Sequence, residues 1–171
     1  MPLYQIEVLG PQHDRKSFNS KVVPLDRYFR EQVSQDVKRR ATACYVARET
    51  ATGQVGGYYT IAAADIPLSD IPDALVKRLP RYPLVPIARM GRLAVDQAHR
   101  GKQLGSALLW DAALRAQRSE LAVVALAVDA KDDTAEAFYL HHGFIRFGSQ
   151  PRQLLIFLAN VALLPGRPPK A

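Results

Sequence analysis

A single cysteine, Cys44, stands in a chain of 171 residues, which excludes an intramolecular disulfide and fits a reducing compartment. No apolar run approaches the roughly 20 residues a membrane-crossing helix needs. Met1-Pro2-Leu3-Tyr4 does not look like the start of a secretory leader, so a cytoplasmic protein is expected. The four histidines, His13, His99, His141 and His142, show no metal-ligand spacing with cysteine and no accompanying nucleophile. Each is expected on the surface or in a loop, and no metal is expected. Neither an internal repeat nor a second domain is visible. Apolar residues, at 48%, and positive charge, at a formal +7, are plentiful. That length and composition suit one domain with a real core, expected over residues 1–164, with Pro165 to Ala171 as a flexible tail.

Periodicity orders the elements. Tyr4 to Leu9 has the look of a strand, ended by Gly10-Pro11. From Leu25 to about Arg39, Leu25, Tyr28, Phe29, Val33 and Val37 share one helical face, and Arg27, Arg30, Glu31 and Asp36 fall largely on the other. Cys44 to Arg48 and Val55 to Ala64 form a hairpin around Thr52-Gly53-Gln54. Ser69-Asp70 is expected to cap a short helix through Leu79, stopped by Pro80, Pro83 and Pro86. A strand near Ile87 to Val95, a helix to about Arg118, an apolar strand over 121–128, a helix over 132–141 and strands near 143–147 and 153–159 complete the chain. A wholly apolar strand between helices is most economically a central parallel one. The expected class is α/β (α+β): a mixed, mostly antiparallel sheet of about six to seven strands flanked by about four helices.

The stretch Arg100-Gly101-Lys102-Gln103-Leu104-Gly105-Ser106-Ala107 follows the strand ending in Leu93-Ala94-Val95 and opens a helix. Glycines at 101 and 105 let the backbone approach a ligand, and the first helical amides lack an internal acceptor. With the helix dipole, Arg100 and Lys102, they suit a diphosphate; an ordinary glycine-rich turn accounts for the loop alone equally well. About thirty residues on, Ala135-Glu136-Ala137-Phe138-Tyr139-Leu140-His141-His142-Gly143-Phe144 is a helix closed by glycine and followed by a strand. This pair of motifs resembles the GNAT superfamily of acetyl-CoA-dependent N-acetyltransferases, whose loop signature Q/R-x-x-G-x-G/A matches Arg100 to Gly105 with Gln103 replacing the first glycine. Gln103 still offers an amide, and it calls for an ordinary backbone conformation.

The resemblance implies the GNAT fold and acetyl-CoA as cofactor. The main chain of Leu93, Ala94 and Val95 would meet the pantetheine arm, and Arg100, Gly101, Lys102, Gln103, Leu104, Gly105 and Ser106 the pyrophosphate. Tyr139 would be the proton donor to the leaving thiolate, since a phenol near pKa 10 stays protonated at neutral pH; core packing is the plainer account of Phe138-Tyr139. Asp132 can cap its helix, and Asp111, on the apolar face of the cradle helix, needs a partner that the sequence does not reveal.

No strong general base is evident. A lysine amine near 10.4 is almost wholly protonated at pH 7, whereas an α-amine near 8, lowered further beside an ester, is appreciably neutral, so an aminoacyl ester suits such an enzyme. Residues 15–40 set Arg15, Lys16, Lys21, Arg27, Arg30, Lys38, Arg39 and Arg40 against Asp26, Glu31 and Asp36; residues 77–102 set Lys77, Arg78, Arg81, Arg89, Arg92, Arg100 and Lys102 against Asp96. This surplus suits a polyanion, or simply a solvated basic surface.

The runs His13 to Ser20, Leu25 to Gln32 and Gly91 to Asp96 resemble the GNAT toxins of bacterial toxin-antitoxin modules, which acetylate the α-amine of aminoacyl-tRNA and so inhibit translation. The resemblance spans about residues 4–160 and departs at Phe18-Asn19-Ser20, where many members have a cysteine and glycine after the Phe-Asp or Phe-Asn pair. It implies a homodimer and a small DNA-binding antitoxin of ribbon-helix-helix type. Arg78, Arg81, Arg89 and Arg92, with Lys38, Arg39 and Arg40, are the candidate tRNA contacts. Two alternatives stay open: acetylation of a protein N-terminus or small amine, and a non-catalytic CoA-binding or nucleic-acid-binding module.

Overall fold

The computed structural model describes residues 2–163, so the expected tail over 165–171 lies outside the described residues. The elements are β1 (Tyr4–Val8), α1 (Val23–Arg27) running through a π turn (Tyr28–Gln32) into α2 (Val33–Lys38), β2 (Ala43–Glu49), β3 (Val55–Pro67), α3 (Asp73–Val76), β4 (Leu84–Val95), α4 (Leu104–Arg118), β5 (Ala125–Asp129), α5 (Asp133–His141), β6 (Ile145–Arg146) and β7 (Gln153–Phe157). The seven strands form one sheet in the order β1-β2-β3-β4-β5-β7-β6. β1/β2, β2/β3, β5/β7 and β6/β7 pair antiparallel, while β5 pairs parallel to β4 from Ala88 opposite Leu126 to Met90 opposite Val128. The mixed, mostly antiparallel sheet expected from the sequence is therefore present, with its parallel pair at the apolar strand. No helix among the described residues is long and apolar enough to cross a membrane.

The described residues gather into two compact units, 2–62 with 91–112, and 63–90 with 113–163. In the first, Phe18, Tyr28, Phe29, Val33, Cys44, Val46, Val55, Tyr58 and Ala94 form one cluster. Its centre is aromatic: Phe29 stacks on Tyr58 at 4.2 Å with the planes 5° apart, and Phe18 meets both edge-on. The helical face expected from the sequence is the one that turns inward, because its apolar spacing matches the core. The π turn widens the helix at Tyr28–Gln32, and Arg15 donates to the Phe29 carbonyl at 2.9 Å. Burial inside this cluster pushes the Cys44 thiol up to about 12.

In the second unit, Ile66, Ile71, Val85, Ile87, Ala125, Ala127, Phe147 and Leu155 pack together. Two expectations are corrected here. The helix expected from Ser69 to Leu79 is a 3-10 turn, Leu68–Asp70, followed by the short α3, with no side-chain cap at either start. Pro72 disfavours a helical backbone at Ile71 before it, which is extended at φ −85° and ψ 136°, so the 3-10 turn does not run on into α3. The strand expected over 121–128 begins only at Ala125, and Leu121 is 72% exposed.

Truncation of Phe29, fully buried and in contact with two rings, should cost about 3–5 kcal/mol. In a chain of this size Phe29→Ala should then lower the melting temperature by about 6–20 °C, as read by thermal unfolding.

Candidate active site

The root of the Gly101 loop is tied down from several directions within the first unit. Asp96 caps the 3-10 turn Gln97–His99 by accepting from the Ala98 amide at 2.8 Å, and its other oxygen accepts from the Asn19 amide at 2.8 Å. The Gln97 amide returns to the Asn19 carbonyl and the Asp96 amide to Gly56 O, both at 2.8 Å. His99 Nδ1 shares a 2.6 Å hydrogen bond with the Tyr4 hydroxyl, and the Arg100 guanidinium donates to the Ser20 carbonyl. Ser20 is itself buried and donates its amide and hydroxyl to buried Asp26, the hydroxyl at 2.6 Å.

Beyond this anchored base, Gly101, Lys102 and Gln103 are exposed. Gly101 has φ +76° with open space where a side chain would stand. Gln103 has φ +59°, which overturns the expectation of an ordinary conformation. The left-handed turn that a glycine would make is made by glutamine, at a cost on the order of 1–2 kcal/mol. The turn delivers the chain into α4, where the Ala107 amide reaches back to Gln103 O at 3.1 Å, leaving the amides of Leu104 and Gly105 without an intrahelical acceptor. Outward amides at a helix start, two left-handed residues and an exposed Lys102 fit a diphosphate.

Gly56 and Gly57, not singled out in the sequence, decide where α4 sits. A Cβ on Gly57 would stand 2.9 Å from Ala94 O and 2.7 Å from Leu108 Cδ1, and one on Gly56 would stand 3.0 Å from Leu104 Cδ2. Adjacent glycines in an apolar strand are the signal that could have found this close approach.

In the second unit Tyr139 is buried against Phe144 and Phe138. Its hydroxyl makes no hydrogen bond among the described residues, and burial holds the phenol above its ordinary range. It therefore keeps its proton through neutral pH. Asp132 caps α5 through the Ala135 amide at 2.8 Å; Lys131 first, then that amide, holds its carboxyl below the usual value. Asp111 accepts from the Tyr59 hydroxyl at 2.6 Å, the partner that the sequence did not reveal.

The histidines were expected on the surface or in a loop: His13 and His142 lie in a bend and a turn but are buried, and His99 departs from the expectation, buried in the 3-10 turn Gln97–His99. His13 accepts from the Gly10 amide at Nδ1 and donates from Nε2 to Glu7 at 2.7 Å, while His142 Nδ1 donates to Phe138 O at 2.7 Å. The basic candidates divide as well. Arg89 pairs with Asp129 at 2.9 Å, Arg92 lies over the Tyr28 ring at 3.4 Å, and Lys38, Arg39, Arg40, Arg78 and Arg81 are exposed.

If the loop holds acetyl-CoA through its backbone, Gln103→Gly should keep or tighten acetyl-CoA binding. Gln103→Val, β-branched at a positive φ, should weaken it about tenfold, as measured by calorimetry.

An acetyltransferase (GNAT) domain model matches residues 40–146. A tRNA-acetylating toxin of Mycobacterium tuberculosis is 31% identical over 155 residues, covering 90% of this chain and 91% of the toxin. Among solved structures, AtaT complexed with acetyl-methionyl-tRNAfMet has a TM-score of 0.86 at 24% identity, covering 94% of this chain and 98% of that one. A tyrosine-to-phenylalanine mutant of AtaT bound to the C-terminus of the antitoxin AtaR and acetyl-CoA has a TM-score of 0.78 at 21% identity, covering 95% and 98%. These two structures share the fold. The domain match and the mycobacterial relative, together with the glycine loop at the start of α4, carry the conclusion that the chain belongs to the GNAT acetyltransferase family.

Proposed function

We propose that the protein is an acetyl-CoA-dependent N-acetyltransferase that acetylates the α-amino group of aminoacyl-tRNA and thereby inhibits translation. The observation that carries this reading is the 31% identity to a tRNA-acetylating toxin over nearly the whole of both chains. In this reading residues 1–164 act as one acetyltransferase domain in the cytoplasm. The protein acts as a homodimer and is neutralised by a small DNA-binding antitoxin of ribbon-helix-helix type, in keeping with the antitoxin-bound AtaT structure.

Bound acetyl-CoA supplies an acetyl group activated as a thioester, which the neutral α-amine attacks with departure of the thiolate. The amides from Gly101 to Ser106 hold its pyrophosphate, with Arg100 and Lys102 alongside. The main chain of Leu93, Ala94 and Val95 would hold the pantetheine arm, and an amide of that strand would offer a hydrogen bond to the acetyl carbonyl oxygen. Tyr139 would give its proton to the departing sulfur and be reprotonated by the proton that the amine nitrogen releases as the amide forms. Its unpartnered hydroxyl and retained proton support that role. Lys38, Arg39, Arg78 and Arg89 meet tRNA phosphates; the Arg89 pair with Asp129 is half-exposed and opens at little cost, since such pairs contribute about 0–1 kcal/mol.

Radiolabelled acetyl should pass from acetyl-CoA to charged tRNA and not to uncharged tRNA, and Tyr139→Phe should lower the rate about 100-fold or more. Label on peptides or small amines, with charged tRNA untouched, would overturn the tRNA reading. The reactive amine is the unprotonated form, so kcat/KM should rise with pH through a midpoint below about 8 and then level off. Because Tyr139 is held above its ordinary range, no alkaline fall from its ionisation should appear below about pH 10. A fall near pH 9 that vanishes in Tyr139→Phe would contradict this.

A further inference from the structure

In the first unit a cleft of about 380 Å³ opens beside the π turn, lined by Val23, Pro24, Arg27, Tyr28, Glu31 and Arg92 among others. Its floor is a fixed stack. The Tyr28 ring is buried, its hydroxyl donates to Asp36 at 2.8 Å, and Gln32 donates to the other oxygen of the same carboxylate at 3.0 Å. The Arg92 carbon that joins its three nitrogens lies 3.4 Å from the ring centroid. Arg92 is half-buried yet has no hydrogen-bond or ion-pair partner among the described residues, and neither has exposed Arg27.

A planar guanidinium has two faces, and the tyrosine takes only one. An exposed lysine would serve equally well for a phosphate; a guanidinium laid flat on an aromatic ring is instead a platform on which an unstacked base can lie. Glu31, at the rim, would repel a run of phosphates but can accept from an exocyclic amine or a ribose hydroxyl. Mixed chemistry of this kind, in a cleft the size of a small-molecule site, suits one nucleotide better than a stretch of backbone.

We propose that this cleft receives the terminal nucleotide of the RNA acceptor, with its base on the free face of Arg92, its phosphate on Arg27, and an amine or ribose hydroxyl on Glu31. Arg92 immediately precedes Leu93 on β4, so an amino acid esterified to that nucleotide starts beside the strand assigned to the acetyl donor. The assignment rests on the aminoacyl-tRNA reading and adds to it a recognition element for the end of the chain rather than for its phosphates.

The test uses the full chain saturated with CoA, so that the donor's own adenine site is filled. Binding of adenosine 5′-monophosphate, ribose 5-phosphate and inorganic phosphate is measured by ligand-observed NMR. The nucleotide should bind about tenfold more tightly than ribose 5-phosphate, the contribution of one stacked base. Arg92→Lys, which keeps the charge and loses the plane, should abolish that difference. In acetylation assays Arg92→Lys should lower the ratio of kcat/KM for aminoacyl-tRNA to that for an amino acid methyl ester about tenfold, with thermal melting confirming that the variant folds. Equal binding of the nucleotide and ribose 5-phosphate to the wild-type protein, or a nucleotide preference that survives in Arg92→Lys, would overturn the subsite and leave tRNA acetylation standing. Failure of the wild-type protein to acetylate charged tRNA would instead overturn the parent reading.

Discussion

The close approach of α4 to the bare backbone of Gly56 and Gly57 is the constraint on which the rest of the cofactor loop depends. Leu104 and Leu108 sit where side chains on β3 would otherwise stand, so the first turn of α4 is seated directly on the strand. With the helix start fixed there and Asp96 fixed by its bond to Gly56 O, the chain between them has little freedom. It climbs away from the strand through a 3-10 turn and then reverses through two left-handed residues. The outward amides at the helix start follow from that geometry, and with them the proposed anion site.

Positive charge, read as a surplus along the sequence, divides into structural and unengaged groups. Arg15 and Arg30 donate to the carbonyls of Phe29 and Phe18, which bind the π turn and the 18–20 loop to the rest of the first unit. Arg100 is tied to Ser20, Arg48 to Glu7 and Arg146 to Glu136. None of these is a free cation for a polyanion. Arg27, Arg92, Lys38, Arg39 and Arg78 take no hydrogen-bonded partner among the described residues. Counter-ion release on binding RNA scales with the phosphates actually neutralised, so the residues that meet phosphates, not the formal +7, set the electrostatic share of binding.

What the sequence revealed and what it hid follow from the range of the interactions concerned. The apolar face Leu25, Tyr28, Phe29, Val33 and Val37 and the buried strand at 125–128 were legible because burial imposes a local period. The π turn was not, since an i to i+5 bond leaves the same residues facing inward over so short a stretch. Burial of His99 depends on Tyr4, 95 residues away, and no local pattern announces such a pairing. Asp26 entered the sequence reading only as one acid in a charge balance, although its carboxylate organises the turn at Ser20. In the candidate site the loop and Tyr139 were proposed from motif and resemblance; Gly56 and Gly57 carry a sequence signal only in their adjacency within an apolar strand, and the Arg92–Tyr28 stack appears only in three dimensions.

Gln103 and Lys21 carry this point further. In the pattern that the sequence resembles, glycine stands at both positions, and here both residues keep the left-handed backbone, at φ +59° and +66°. Each side chain adds strain on the order of 1–2 kcal/mol, which the surroundings must over-determine if it is to persist. They do so through a connected set of bonds. Lys21 N donates to Asn19 Oδ1, Ser20 is held by Asp26, the Ser20 carbonyl takes Arg100, and Asn19 closes the loop onto Asp96 and Gln97. The two departures from the family pattern therefore lie at opposite ends of one hydrogen-bonded assembly, joined through Arg100. What that assembly preserves is the path of the backbone, because backbone amides are what a diphosphate meets. A motif read letter by letter counts Gln103 as a loss, whereas the conformation shows that the function of the glycine, to turn the chain, is still performed.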